Sequence, residues 1–140
     1  MHKQSIKELS EQLRKKTLSA TELVSHYLDR IKRLNATINA VTHLDEEDSL
    51  KQAAAIDKAR QKNPEQLSEL AGIPILNKDI FCTQGQPTTC ASRALEHYQS
   101  PFDATIIQNC KGAGMIMLGK CNMDEFAMGG SNENSANGPV

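Results

Sequence analysis

Residues 103–118, DATIIQNCKGAGMIML, decide the fold class. Asp103 stands where it could cap a helix running through Lys111, Gly112 or Gly114 could end that helix, and Met115–Leu118 is an apolar run short enough for a buried strand. A helix that passes through a glycine turn into a buried strand is the unit from which α/β layers are built, so an α/β fold is expected. Before this stretch, Phe81–Pro101 is rich in Thr, Ser, Gln, Gly and Pro and reads as irregular, with one helical turn near Ser92–His97. Connections of that length are often functional. After it, residues 129–140 are mostly Gly, Ser, Asn and Glu with a Pro, and contain neither a repeat nor a closing helix or strand.

Further upstream, Ser5 with Glu8 and Ser19 with Glu22 have the S-x-x-E spacing of capping boxes and predict two N-terminal helices. In the second, Leu23, Val24, Tyr27, Leu28, Ile31 and Leu34 recur at the three-and-four spacing of one buried face, which makes them core. Ile38–Thr42 reads as a short strand. Glu46–Lys62, with its alanines, reads as a third helix that Asn63 and Pro64 end. A polar connector over Pro64–Glu69 then leads to Ile73–Leu76, a second apolar run of strand length, with Lys78 just beyond it.

The composition, 39% hydrophobic and 24% charged, is that of one soluble globular domain or part of one. Sixteen basic against seventeen acidic residues leave a formal charge of −1, which excludes a global basic field for nucleic acid or anionic lipid. Any RNA contact would be local or made by a partner. The opening MHKQSIKELSEQLRKK is charged throughout, without the apolar heart of a signal peptide, and no stretch reaches the length of a membrane span; a cytoplasmic protein is expected. Cys82, Cys90, Cys110 and Cys121 form no C-x-x-C pair and read as reduced, packed thiols. His2, His26, His43 and His97 lack metal-ligand spacing, so no metal is expected.

Two sites could carry chemistry. Lys78 follows Gly72-Ile73-Pro74-Ile75-Leu76-Asn77, and a strand could deliver its amine inward, where loss of water favours the neutral, basic form. The ordinary alternative is a solvated Lys78-Asp79 turn at a strand end. Gly129-Gly130-Ser131 could bring backbone amides close to an anion or a developing oxyanion, with a flexible turn as its ordinary alternative. Neither it nor Gly112-x-Gly114 is a phosphate or dinucleotide loop. Asp124 and Glu125 are adjacent and so point apart; they are expected to favour a helix start.

Leu70-Ala71-Gly72-Ile73-Pro74-Ile75-Leu76-Asn77-Lys78-Asp79 resembles the L-x-G-I-P-x-x-x-K-D segment of the amidase-signature enzymes. Thr88-Thr89-Cys90-Ala91-Ser92 and Asn122-Met123-Asp124-Glu125-Phe126-Ala127-Met128-Gly129-Gly130-Ser131 resemble successive blocks of the same family, and Glu133-Asn134-Ser135-Ala136-Asn137-Gly138-Pro139 extends the second. Within the family, the Asn122–Gly129 and Glu133–Ser135 blocks look most like the A subunits of tRNA-dependent amidotransferases. The resemblance implies a mixed sheet flanked by helices, with residues 1–140 as the N-terminal segment of one amidase-signature domain.

It also implies a Ser-cis-Ser-Lys triad in which Lys78 is the base and glutamine the source of ammonia. The amidotransferase B and C subunits are the implied partners: the B subunit would use ATP, magnesium and the tRNA, and the small C subunit would clasp the assembly. No cofactor is expected on this chain. The Gly/Ser-rich block that supplies both triad serines is absent from residues 1–140, and Ser131 belongs to the earlier block. The short chain is therefore expected to be inactive by itself and to continue into that block. An incomplete sheet exposes an edge and an apolar face, so self-association is expected. Two other readings stand beside this one: a general small-amide amidase of the same family, and a binding or assembly piece left by a split gene.

Overall fold

The computed structural model describes residues 1–140. Its elements are α1 (Ile6–Arg14), α2 (Ala20–Ile38), β1 (Val41–Leu44), α3 (Glu46–Lys62), β2 (Pro74–Lys78), α4 (Thr105–Gly112) and β3 (Ile116–Cys121), with single 3-10 turns at Pro64–Gln66, Arg93–Leu95 and Glu125–Ala127. The strands form a mixed sheet in the order β1-β3-β2, and with the helices make an α/β fold.

The chain forms two compact units, each made of three segments. One comprises residues 1–31, 45–75 and 109–118. Its helices start where the capping boxes put them: the Ser5 and Ser19 hydroxyls accept from the amides of Glu8 and Glu22, whose carboxylates accept from the Ser5 and Ser19 amides in return. Both glutamates are held below the ordinary carboxylate range by those bonds. The interior is apolar, with Leu9, Leu13, Leu23, Val24, Leu28, Ile73, Ile116 and Met117 all buried. The Asp57 carboxylate adds bonds to the Ala20 and Thr21 amides at 2.7 and 3.0 Å. Helix α4 ends in a Schellman pair, Met115 N–H to Cys110 C=O and Gly114 N–H to Lys111 C=O, with Gly114 at φ +74. Of the two glycines expected to stop this helix, Gly114 takes the left-handed position.

The other unit comprises residues 32–44, 76–108 and 119–140. Its interior is mostly polar: Asn77, Asp79, Thr83, Gln86, Thr88, Ser92, Ser100, Lys120, Asn122 and Asp124 are all buried, beside few apolar residues such as Ala91 and Met123. Groups of this kind stay inside only where hydrogen bonds replace water, so this unit is held by a bonded network. Strands β1 and β3 pair antiparallel, Val41 facing Cys121 and Leu44 facing Gly119, with an irregularity between Val41 and His43.

Three expectations are corrected. The strand expected over Ile38–Thr42 is β1 over Val41–Leu44, because α2 continues to Ile38 and stops at Asn39, which is left-handed at φ +48. The Asn35 side chain locks that exit by bonding both the N–H and C=O of Val41 at 2.8 Å. Strand β3 extends past Leu118 to Cys121, taking in Gly119 and Lys120. The Asp103 carboxylate accepts from the Gln84 amide at 2.8 Å, tying down the long loop ahead of α4, which begins at Thr105.

Candidate active-site segment

Strand β2 alternates at its end: Asn77 is buried, Lys78 exposed and Asp79 buried. Within residues 1–140 the Lys78 side chain is therefore exposed at the end of β2. The lysine that lies in the interior is Lys120, next to the last residue of β3 and 0% exposed. Its ammonium donates to the Phe81 carbonyl at 2.6 Å and to Thr88 Oγ1 at 3.2 Å. Burial lowers its pKa, opposed first by the Asp79 carboxylate and then by Cys82, Cys90 and Asp103.

Asp79 is 1% exposed. Its carboxylate accepts from the Thr89 amide at 3.2 Å and from the Thr89 hydroxyl, while its own carbonyl accepts from Cys90 N–H at 3.1 Å. Cys90 and Ala91 are both left-handed, φ +51 and +53, and their carbonyls accept from Phe126 and Ala136 amides at 3.0 and 2.9 Å. The three sequence blocks singled out above, around Lys78-Asp79, Thr88–Ser92 and Asn122–Pro139, therefore meet in one network within one unit. Asn122 fastens the last of them: its amide group donates to the Asn39 and Gly138 carbonyls at 3.0 Å, and its oxygen accepts from Ser135 Oγ at 2.6 Å.

Gly129-Gly130-Ser131 is exposed, and Ser131 Oγ donates to Glu133 at 2.9 Å. An anion does lie against this loop, but it is the protein's own. The carboxylate of Asp124 accepts from the Asn132 and Asn134 amides, both at 2.9 Å, and packs so tightly that a Cβ on Gly129 would lie 2.5 Å from its Cγ. Asp124 heads the 3-10 turn at Glu125–Ala127 without a side-chain cap bond. Its carboxylate clamps the following loop instead of favouring a helix start. The amides of Asn134 and Asn132 hold this carboxyl below the ordinary aspartate range.

A depressed carboxyl contributes stability above its unfolded pKa of about 3.9 and loses it as pH falls through the lower folded value. Asp124→Asn turns an NH2 toward one of the amide donors. It is expected to speed protease cleavage within residues 125–140 at neutral pH, with the gap from the unsubstituted chain closing on acidification. A gap that stays constant with pH in a limited-proteolysis series would overturn this assignment.

A cleft of about 270 Å³ is lined by residues that include Asp79, Thr89, Thr42, His43, Arg93 and Asn137, and Lys78 is not on its wall. All four cysteines carry free thiols and are partly buried, and burial raises the pKa of Cys90 and Cys121, as suits packed thiols rather than nucleophiles. No group of three or more His, Cys, Asp or Glu comes together that could hold a metal ion. No helix is long and apolar enough to cross a membrane.

Lys120 is the residue that reading by pattern passes over. The signal is present, since a lysine embedded in Met115–Cys121 belongs to a strand buried on both faces and has nowhere to go but inward.

Residues 22–140 match the family model described as Amidase. Over all 140 residues the chain is 49% identical to the A subunit of the glutamyl-tRNA(Gln) amidotransferase of Coxiella burnetii and 51% identical to that of Cellvibrio japonicus, covering 29% and 28% of those proteins. Among solved structures, it matches the peptide amidase of Stenotrophomonas maltophilia with TM-score 0.85 and 33% identity, covering 96% of this chain and 28% of that one. It matches the A subunit of the Thermotoga maritima glutamyl-tRNA(Gln) amidotransferase with TM-score 0.65 and 39% identity, covering 84% and 23%. The chain thus spans under a third of the length of these relatives, and with a family match over most of its residues it belongs to the amidase family.

Proposed function

We propose that this chain is the base-bearing segment of a glutamine-hydrolysing A subunit of a glutamyl-tRNA(Gln) amidotransferase. The observation that carries the reading is the 49–51% identity to such proteins across every residue of the chain, against 33% to the peptide amidase with which it shares a fold. In this reading Lys78 acts as the base where the rest of the whole protein covers it, accepting a proton relayed through a bridging serine from a nucleophilic serine. That serine attacks the side-chain amide carbon of glutamine, and as the C–N bond breaks the proton held by Lys78 passes to the departing nitrogen, which leaves as ammonia. Water then gives a proton to Lys78 and its oxygen attacks the ester carbon; the ester C–O bond breaks, glutamate leaves, and the proton returns through the bridging serine to the nucleophilic serine.

Both serines would come from chain outside residues 1–140, so the short chain supplies the base without the nucleophile. Ammonia would pass to a B subunit that activates glutamate on tRNA with ATP and magnesium, with a C subunit holding the pair together, all in the cytoplasm. The near-neutral charge of this chain suits a division of labour in which that partner handles the RNA.

The test joins residues 1–140 to the remaining segment of the Coxiella burnetii relative and coexpresses the product with that organism's partner subunits. Glutamate release from glutamine is expected from the joined protein and not from residues 1–140. Robust turnover by the short chain, or a joined protein that hydrolyses peptide amides and ignores glutamine, would overturn the reading. The second outcome would favour the alternative of a general small-amide amidase.

A further inference from the structure

We propose that Lys120 is a positioning residue for Lys78: its buried ammonium, by gripping the Phe81 carbonyl and Thr88 Oγ1, sets where the Lys78–Phe81 turn leaves β2. The proposal rests on the reading of Lys78 as the base, and deepens it.

The linkage is short. Lys120 Nζ donates to the Phe81 carbonyl at 2.6 Å, and Phe81 N–H donates to the Lys78 carbonyl at 3.0 Å, so two hydrogen bonds through one residue connect the two lysines. A second anchor lies beside the first: Asp79 N–H donates to the carbonyl of Cys121, the residue after Lys120, at 3.2 Å. The turn is thus fastened to β3 by a main-chain bond at Asp79 and a side-chain bond at Phe81. From the other side Lys120 reaches Thr88 and Asp79 reaches Thr89, cross-tying the turn to the Thr88–Cys90 segment.

Stability alone is a poor reason for this lysine. An apolar side chain of similar length would fill the same space in β3 without taking an ammonium out of water, and replacing buried charges by well-packed apolar groups is often neutral or stabilising. What methionine could not do is hold the Phe81 carbonyl. The Lys78 side chain is exposed, and the turn beneath it sets where it starts. Misplacing a reacting group by about 1 Å can cost about a hundredfold in rate.

The kinetic test uses Lys120→Met in the joined protein described above. The expected result is a fall in kcat of about 10- to 100-fold with KM for glutamine within about twofold, and a urea midpoint no lower than that of the unsubstituted protein. In residues 1–140 alone, the same substitution is expected to speed hydrogen exchange at the Phe81 amide by about tenfold or more, with α3 amides unchanged. A folded Lys120→Met with kcat unchanged would overturn the proposal, as would unchanged exchange at Phe81.

If Lys120→Met does not fold, Thr88→Val keeps the ammonium and removes one acceptor. It is expected to lower kcat by about 3- to 10-fold, and an unchanged kcat would again overturn the proposal. Exchange at Phe81 is read without turnover, so failure of the Lys78 reading, seen as full activity in a Lys78→Ala protein, is distinguishable from failure of the Lys120 anchor.

Discussion

Gly119→Ala is expected to remove a large share of the stability of this chain. A Cβ at Gly119 would lie 1.9 Å from the His43 carbonyl oxygen, 2.9 Å from its carbon and 3.0 Å from Leu44 Cα. All three are backbone atoms of β1, so no side-chain rotamer change can make room. Relief requires β1 to move away from β3, which breaks the pairing of Leu44 with Gly119 and of His43 with Lys120. Overpacking a core with side-chain neighbours costs about 1–3 kcal/mol, and a clash with fixed backbone belongs at or above the top of that range. Against a total of about 5–15 kcal/mol for a domain, that is a large share.

Circular dichroism and urea unfolding check it: the variant should lose its cooperative transition or show a midpoint far below that of the unsubstituted chain. Gly112→Ala is the control. It lies at the end of α4 with open space around its Cβ position, and alanine there should be neutral or stabilising by about 0.5–1 kcal/mol. Equal losses from both substitutions would contradict the close approach at Gly119.

Lys78→Ala carries the other large effect, on activity and not on folding. In residues 1–140 the side chain is exposed, so its removal should shift the urea midpoint by no more than about 0.5 kcal/mol equivalent. In the joined protein the same substitution removes the proposed proton acceptor. Deleting one member of a catalytic triad typically lowers kcat by about 10⁴-fold or more, and a similar loss of glutaminase turnover is expected here. Activity within tenfold of the unsubstituted protein, with the fold intact, would remove Lys78 from the mechanism. The pairing of the two substitutions is informative because one acts only on the fold and the other only on the chemistry.

How far pattern carries differs between the two units. In the first, Ser5, Glu8, Ser19 and Glu22 mark helix starts, Leu23, Val24 and Leu28 mark a buried stripe, and Glu46–Lys62 is α3. These features are local: a cap is decided within four residues and an amphipathic face within two turns. The end of α2 escapes propensity because Thr37 and Ile38 favour strands, whereas the stop is made by Asn39 in a left-handed conformation and by Asn35 bonding Val41 across six residues.

The second unit is largely illegible to periodicity, because its interior is polar. Asp79, Thr88, Asn122 and Asp124 carry no hydrophobic signal, and the partners that justify burial stand far away in sequence, as Asn122 does from Asn39 and Lys120 from Phe81. Only the resemblance of whole blocks to a known family marks these stretches, and it marks them without saying what they bond.

The amino-acid sequence by itself determined the α/β class, the helix starts and the family, because caps, stripes and motif blocks are written in residues close to one another along the chain. Tertiary structure alone decided which lysine faces solvent and which lies inside, and that Asp124 clamps a loop instead of capping a helix. The physical reason is that burial of a charge is settled by the bonds available where it lands. For Lys120 those are the Phe81 carbonyl and the Thr88 hydroxyl, supplied by a segment more than thirty residues earlier.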